Sequence, residues 1–220
     1  MLKYIRQRLF RASAFEGREA LVAWCESSGW TMRGIREQEG FVIDTRGGVL
    51  EGRIEWGPAQ RRYLGSHELR LRGEIDLKPE VHALVMPQSL MEEVERELFS
   101  QYVGGVQTRL DEETPEEMRW LAMHPKLSPN QMGVALRDRY GAVGSDAEWV
   151  SRWLAGPISD ALKARADELP LETVAAEPIL LRLARGQVVL RQSASRPTVP
   201  ELERCIAVAA AVDIALHRTA

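Results

Sequence analysis

Apolar and charged residues alternate most clearly over residues 68–77. Leu69, Leu71, Ile75 and Leu77 share one parity, whereas every even-numbered position of the segment is charged. Because successive side chains of a strand point to opposite faces, this pattern predicts a strand with one buried face and one solvated face. The solvated face carries charges of both signs, which a neighbouring strand can pair across the sheet.

Short runs rich in β-branched and aromatic residues, separated by glycine-containing turns, surround this segment. Together they predict a twisted antiparallel sheet of about five strands with one face open to solvent. The expected strands are residues 30–36, 41–45, 49–56, 67–77 and 81–86. Helices are expected over residues 17–28 and 89–102, where apolar residues recur at helical spacing. The second of these helices is expected to cover the buried face of the sheet.

The second half of the chain is predicted to be mainly helical. Hydroxyl residues that precede Glu or Gln by three positions mark three of its helix starts, as a capping box does. These residues are Thr114, Ser128 and Ser145. Helices 129–140 and 146–155 are expected to flank a turn at Gly141–Gly144, and a hairpin is expected at 179–191 around Arg185-Gly186.

The fold class expected from these elements is α+β. An acidic, glycine-containing stretch at 104–113 is interpreted as a linker between two regions. The first region, 1–104, is the antiparallel sheet with flanking helices. The second, 114–220, is mainly helical with one hairpin. The pattern leaves open whether the two regions share one core.

Composition indicates in which compartment the protein works and which classes of partner are unfavourable. The 220 residues carry a formal net charge of −3, which offers no general attraction for nucleic acid or an anionic membrane. Cys25 and Cys205 lie far apart in expected helices, so free buried thiols in a reducing cytoplasm are predicted. The N-terminus lacks a signal-peptide pattern, and the apolar run 205–216 is too short to span a bilayer. An arginine bias indicates a GC-rich, bacterial coding sequence.

The helix expected over residues 202–216 is apolar on most sides. Such a helix has to be buried, either within the fold or against another copy of the chain. A homo-oligomer is therefore one of two open interpretations.

Common catalytic motifs are missing from the sequence. The glycines at 47–52 are not followed by the Lys-Ser/Thr pair of a phosphate loop, and Gly65-Ser66-His67 lacks the second glycine of a nucleophile elbow. The four histidines are scattered, and no zinc-ligand spacing occurs. No catalytic residue, metal site or cofactor is predicted.

One polar cluster stands out, at the mouth of an expected strand connection. It combines guanidinium groups, a phenol, an imidazole and a carboxylate on a loop, where binding residues are commonly found. Its members are Arg61, Arg62, Tyr63, Ser66, His67 and Glu68. With the solvated sheet face, it is predicted to bind a small anionic ligand or a partner protein. The chain is accordingly interpreted as a cytoplasmic, non-catalytic binding or interaction module.

Two alternatives belong to other functional classes. An enzyme without a recognisable motif could use a cleft centred on His67 and Glu68, because active sites can be assembled from distant residues. A nucleic-acid-binding protein could use residues 128–155 as a winged helix-turn-helix. The charge balance and the acidic start of helix 146–155 argue against the second alternative.

Overall fold

The computed structural model describes residues 17–35, 39–45, 51–103, 114–168 and 178–219. Its centre is one antiparallel sheet of eight strands in the order β1-β2-β3-β4-β8-β7-β5-β6. The strands are β1 (Thr31–Gly34), β2 (Phe41–Asp44), β3 (Gly52–Pro58), β4 (His67–Glu74), β5 (Ala83–Pro87), β6 (Tyr140–Gly144), β7 (Ile179–Ala184) and β8 (Gln187–Ser193). The α+β class is confirmed.

Helices lie on both faces of the sheet. Within the described residues they are α1 (Arg18–Ser27), α2 (Gln88–Val103), α3 (Glu116–Met123), α4 (Pro129–Met132), α5 (Ala147–Leu154), α6 (Pro157–Glu168) and α7 (Val199–Thr219). A short 3-10 helix, Arg62–Leu64, connects β3 with β4. No helix of the described part is both long and apolar enough to cross a membrane.

The sheet has eight strands, and not about five, because the second half of the chain contributes three of them. The predicted hairpin is confirmed: Arg185 (φ 51°) and Gly186 (φ 70°) both take left-handed conformations, as a tight two-residue hairpin requires. This hairpin lies between β4 and β5, so strands from both predicted regions belong to one sheet. The linker predicted at 104–113 falls outside the described residues, and the domain division stays a prediction.

One face of the sheet, the core face, is apolar. Leu69 and Leu71 lie there as their alternation predicts, although β4 ends at Glu74, earlier than residue 77. Helices α1, α5, α6 and α7 contribute to the same apolar core. Most of the apolar side chains of α7 are buried within this core, while Ile214 is 47% exposed. The fold itself therefore buries most of the apolar helix.

Both cysteines are free and buried, as predicted. Burial raises the pKa of the Cys25 thiol to about 11 and that of Cys205 to about 12. Both groups are therefore protonated and poorly nucleophilic near neutral pH.

The opposite face is covered in part by α2 and α3. Leu90, Val94 and Leu98 of α2 pack with Leu84 and Met86 of β5, on the face opposite to Leu69 and Leu71. The expectation that this helix covers the buried face of residues 68–77 is therefore wrong. Both faces of β5 are buried, so its continuous apolar sequence did not show which side the helix would choose.

The turn expected at Gly141–Gly144 is wrong as well, because these residues lie in β6. A Cβ atom on Gly144 would lie 2.6 Å from the backbone oxygen of His82, and one on Gly141 would lie 2.6 Å from Sδ of Met91. The glycines thus allow close packing. Helix 129–140 also ends early, at Met132, so residues 128–155 do not form a helix-turn-helix.

The predicted helix starts differ in their outcome. Ser128 forms the expected capping box with Gln131. Ser145 does not cap α5: Asp146 does, since its Oδ1 accepts hydrogen bonds from two backbone amides of the first turn, each at 3.0 Å. The hydroxyl of Ser145 instead accepts a hydrogen bond from the backbone N–H of His82 at 3.0 Å.

Candidate functional site

The residues of the predicted polar cluster lie on two sides of the sheet. The imidazole of His67 stacks on Trp56 with ring centroids 5.2 Å apart, on the core-face side, and its Nδ1 lies 3.2 Å from Oγ of Ser66. Glu68, the next residue of β4, points to the opposite face, as strand geometry requires. Arg62 is exposed on the 3-10 helix. His67 and Glu68 therefore do not line a common cleft.

Arg61, Tyr63 and Glu68 do come together, on the face opposite to the core face. Oε1 of Glu68 accepts a hydrogen bond from Nη1 of Arg191 at 2.6 Å and another from Nη1 of Arg70 at 3.0 Å. Glu68 is only 2% exposed and Arg191 only 6%. The expectation that the charged side of β4 is fully solvated is wrong at this position, because helix α3 and the β3–β4 connection contribute side chains to the same network.

Helix α3 supplies the second buried carboxylate of the network. Glu117, which is 1% exposed, accepts a hydrogen bond from Nε of Arg61 at 3.1 Å, and its Oε1 lies 3.8 Å from Nε of Arg191. We call the five connected residues the buried ion cluster. They are Arg61, Glu68, Arg70, Glu117 and Arg191.

Strand register explains why these charges meet. Arg70 lies directly opposite Glu55 of β3 on one side and Arg191 of β8 on the other. Two adjacent guanidinium groups repel each other, and Glu68 offsets this by accepting hydrogen bonds from both. Arg70 also donates to Glu55 at 2.9 Å from its Nε. The charges thus alternate in sign through the cluster.

The surrounding charges shift the pKa of three groups, which are Arg61 of the buried ion cluster and its neighbours Glu55 and Tyr63. Burial acts to raise the pKa of Glu55, but the hydrogen bond and charge of Arg70 outweigh it, so the net pKa is below the usual value. Burial and the nearby charge of Glu117 raise the pKa of Tyr63 well above its usual range. Burial acts to lower the pKa of Arg61, but Glu117 outweighs it and raises the pKa. All three groups therefore keep one protonation state near neutral pH.

Beyond the buried ion cluster the same face is open. A groove of about 670 Å³ crosses the ends of β3 and β4. We call it the arginine groove; it is lined by Asp44, Glu51, Gly52, Arg53, Glu55, Arg72, Gly73, Glu74 and Gln187.

Among the described residues, Arg72 is the cation of this groove without a close carboxylate partner. It is exposed, lies opposite Arg53 in the register of β3 and β4, and forms no ion pair within 4 Å to the described residues. Its pKa is lowered by partial burial and by the charges of Arg70, Arg191 and Arg182, with Glu55 acting in the opposite direction. Arg72 therefore lies in a field that is unfavourable to another cation.

Several residues that build this site were not singled out by the sequence. Glu117 is 56 residues from Arg61, and Arg191 is 123 residues from Glu68. The alternation in β4 indicated the charged face, and Thr114-Pro115-Glu116-Glu117 indicated a helix start. Neither pattern shows that the two segments are in contact.

The described residues contain no group of three or more His, Cys, Asp or Glu side chains that could hold a metal ion. Comparison of the chain with protein-family models, with curated proteins and with solved structures finds no significant match. The function is therefore inferred from the geometry of the site alone.

Proposed function

We propose that this chain is a non-catalytic binding protein of the bacterial cytoplasm that binds a small anion in the arginine groove. The anion is a carboxylate or phosphate group on a small molecule, held by the guanidinium of Arg72. The single observation that supports this proposal is the position of Arg72, a guanidinium that has no close carboxylate partner in the described part of the chain and lies among several other arginines.

The charges around Arg72 would stabilise a bound anion. Arg70, Arg182 and Arg191 raise the positive potential around Arg72, and an anion beside Arg72 would relieve that repulsion. A guanidinium also presents a planar fork that matches carboxylate and phosphate oxygens. The buried ion cluster fixes Arg70 and Arg191 next to the groove, so these charges need little reorganisation on binding.

The rim of the groove favours a small anion over a polymer. Asp44, Glu51, Glu55 and Glu74 all line it, and they would repel the successive phosphates of a nucleic acid. A compact anion can contact Arg72 without approaching all four carboxylates. This rim also speaks against the nucleic-acid alternative.

The enzyme alternative has less support. Its two central residues, His67 and Glu68, point to opposite faces, and Glu68 is engaged by two arginines. The two residues therefore cannot act together on one substrate in a shared cleft.

The test is isothermal titration calorimetry. The purified protein is titrated with inorganic phosphate and, separately, with succinate at low ionic strength. We expect Arg72→Gln to weaken binding about tenfold, because a charge-assisted hydrogen bond is lost. Arg62→Gln is the matched control, since Arg62 is an exposed arginine that does not line the groove. Its affinity should equal that of the unaltered chain.

Two outcomes would overturn the proposal. One is equal affinity of Arg72→Gln and the unaltered protein. The other is the absence of binding of either anion at low salt, where electrostatic attraction is strongest. The second outcome would favour a partner protein as the occupant of the charged face.

A further inference from the structure

A second cavity, of about 580 Å³, shares no lining residue with the arginine groove. It is bounded by the β4–β5 connection, the turn before α5, helix α5 itself and the last turns of α7. We call it the tryptophan cavity; its lining residues are Asp76, Leu77, Lys78, Glu80, Val81, Ser145, Asp146, Trp149, Leu216 and Thr219. Its volume lies within the usual range for small-molecule sites.

The apolar part of the cavity is built around Trp149. Its indole is half-buried and stacks on Trp153, with ring centroids 5.8 Å apart and the two planes within 10° of parallel. Trp153 is fully buried in the core, so it fixes the orientation of Trp149. Leu77, Val81 and Leu216 add aliphatic surface beside the indole. An apolar group of a ligand could therefore pack on a rigid apolar surface.

The polar part of the cavity is acidic. Among the described lining residues, Asp76, Glu80 and Asp146 are acidic and Lys78 is the one cation. Within the described residues, Asp76 and Glu80 accept no hydrogen bond from a side chain and form no ion pair. Asp146 uses one oxygen, Oδ1, to cap helix α5. The carboxylates of the lining thus attract a positive charge, and the indole of Trp149 lines the same cavity.

We propose that the tryptophan cavity binds an organic cation with an apolar body, such as an aromatic or aliphatic primary amine. The ammonium group is held by the carboxylates of Asp76 and Glu80, and the apolar body packs on Trp149. The carboxylates attract the ammonium group through their charge, and the half-buried indole offers the apolar body a flat surface for packing. An anionic ligand of the same shape would be repelled.

The experiment compares two probes with the same ring and opposite charge, phenethylammonium and phenylacetate. Each is titrated into the full chain while tryptophan fluorescence and heat are recorded. We expect phenethylammonium to change the fluorescence of Trp149 and phenylacetate not to change it. Heat from phenylacetate bound in the arginine groove is recognised by repeating the titration with Arg72→Gln. Asp76→Asn combined with Glu80→Gln should weaken phenethylammonium binding about fivefold or more, because both of these charges are lost.

Two control variants make the result specific. Glu51→Gln combined with Glu74→Gln removes two exposed carboxylates of the arginine groove and should leave phenethylammonium binding unchanged. Trp149→Phe should retain weaker binding and remove the fluorescence change. An equal change in Trp149 fluorescence with both probes, no binding of phenethylammonium, or equal loss in the two double variants would each overturn the proposal.

Discussion

Two halves of one sheet face are buried by different chemistry. Over β5, β6 and β7, helices α2 and α3 pack on Leu84, Met86 and Leu180 in an apolar cluster. Over β4 and β8, the same face buries Glu68 and Arg191 in the buried ion cluster. Apolar side chains are stable in a dry environment without specific partners, whereas each buried charge depends on its counter-charge. The two halves should therefore respond differently to single substitutions.

Helix α3 joins the two halves. Met118 and Leu121 belong to the apolar cluster, while Glu117 forms ion pairs with Arg61 and Arg191. The position of α3 is thus set by both kinds of interaction at once. Substitutions in this helix are the most direct way to separate the two contributions.

The largest effect is expected for Glu117→Gln. The substitution removes the charge of Glu117, the carboxylate that pairs with both Arg61 and Arg191. We expect the free energy of unfolding to decrease by about 3 kcal/mol, because these guanidinium groups then lose a counter-charge away from solvent. Urea denaturation of both chains measures this difference. Glu116→Gln is the control: Glu116 pairs with Arg182 and Arg185 nearer the surface, so a loss of about 1 kcal/mol or less is expected. Equal losses in the two variants would contradict a special dependence of the charged half.

In the apolar half, we expect substitutions that disturb the packing to lower the stability most. In Gly144→Ala the new methyl group would meet the backbone oxygen of His82, which cannot move without disturbing the β5–β6 pair. We expect a loss of about 2 kcal/mol in the free energy of unfolding. Gly141→Ala meets the flexible end of Met91 and should cost less. Thermal denaturation of the two variants tests this order, and a larger loss for Gly141→Ala would contradict it.

These two glycines also show where the sequence could not predict the fold. The strands of residues 31–87 and the hairpin at 185–186 were predictable, because alternation and turn residues are local signals. In Tyr140–Gly144, two glycines in five residues resemble a turn, and the reason for them lies in Met91 and His82, which are distant in sequence. The number of strands in the sheet was underestimated because β6 resembled a turn, and because the pairing of the predicted hairpin with β4 and β5 joins segments that are distant in sequence.

The candidate site was predictable only in part. The alternation in β4 indicated the charged face, and three members of the polar cluster, Arg61, Tyr63 and Glu68, lie together on that face. Their role in binding stays a prediction. It also included His67, which strand geometry places on the other side. Glu117 and Arg191 were not identified, since their role depends on contacts between distant segments, and a single sequence does not show such contacts.

Two histidines lie beside Trp120 of the apolar half. His82 stacks on Trp120 at 4.9 Å, and His124 lies 5.9 Å from His82, both distances between ring centroids. Burial, and then the charge of His82, lower the pKa of His124 below its ordinary value of 6.5. The unfolded chain therefore takes up a proton on His124 before the folded chain does.

It follows that stability is full above about pH 6.5 and decreases as the pH falls through the lower pKa of the folded state. Urea denaturation between about pH 7 and pH 5 should show a smaller decrease for His124→Gln than for the unaltered chain. His217→Gln is the control, because His217 is exposed near the end of α7. If the two variants have the same pH dependence, His124 is not responsible for this effect.

The smallest effect is expected from Glu55, at the edge of the charged half. Burial acts to raise its pKa, but Arg70 and the more distant Arg72 and Arg53 lower it below the ordinary value of 4.5. A carboxylate with a lowered pKa stabilises the folded state above its unfolded pKa and loses that contribution as the pH falls through its folded pKa. The charged half should therefore weaken below about pH 4.5, a lower range than for His124. In Glu55→Gln this acid-dependent loss should be reduced, while Glu51→Gln, an exposed carboxylate just before β3, should behave like the unaltered chain. An identical acid dependence in both variants would mean that the ion pairs around Glu55 do not stabilise this half.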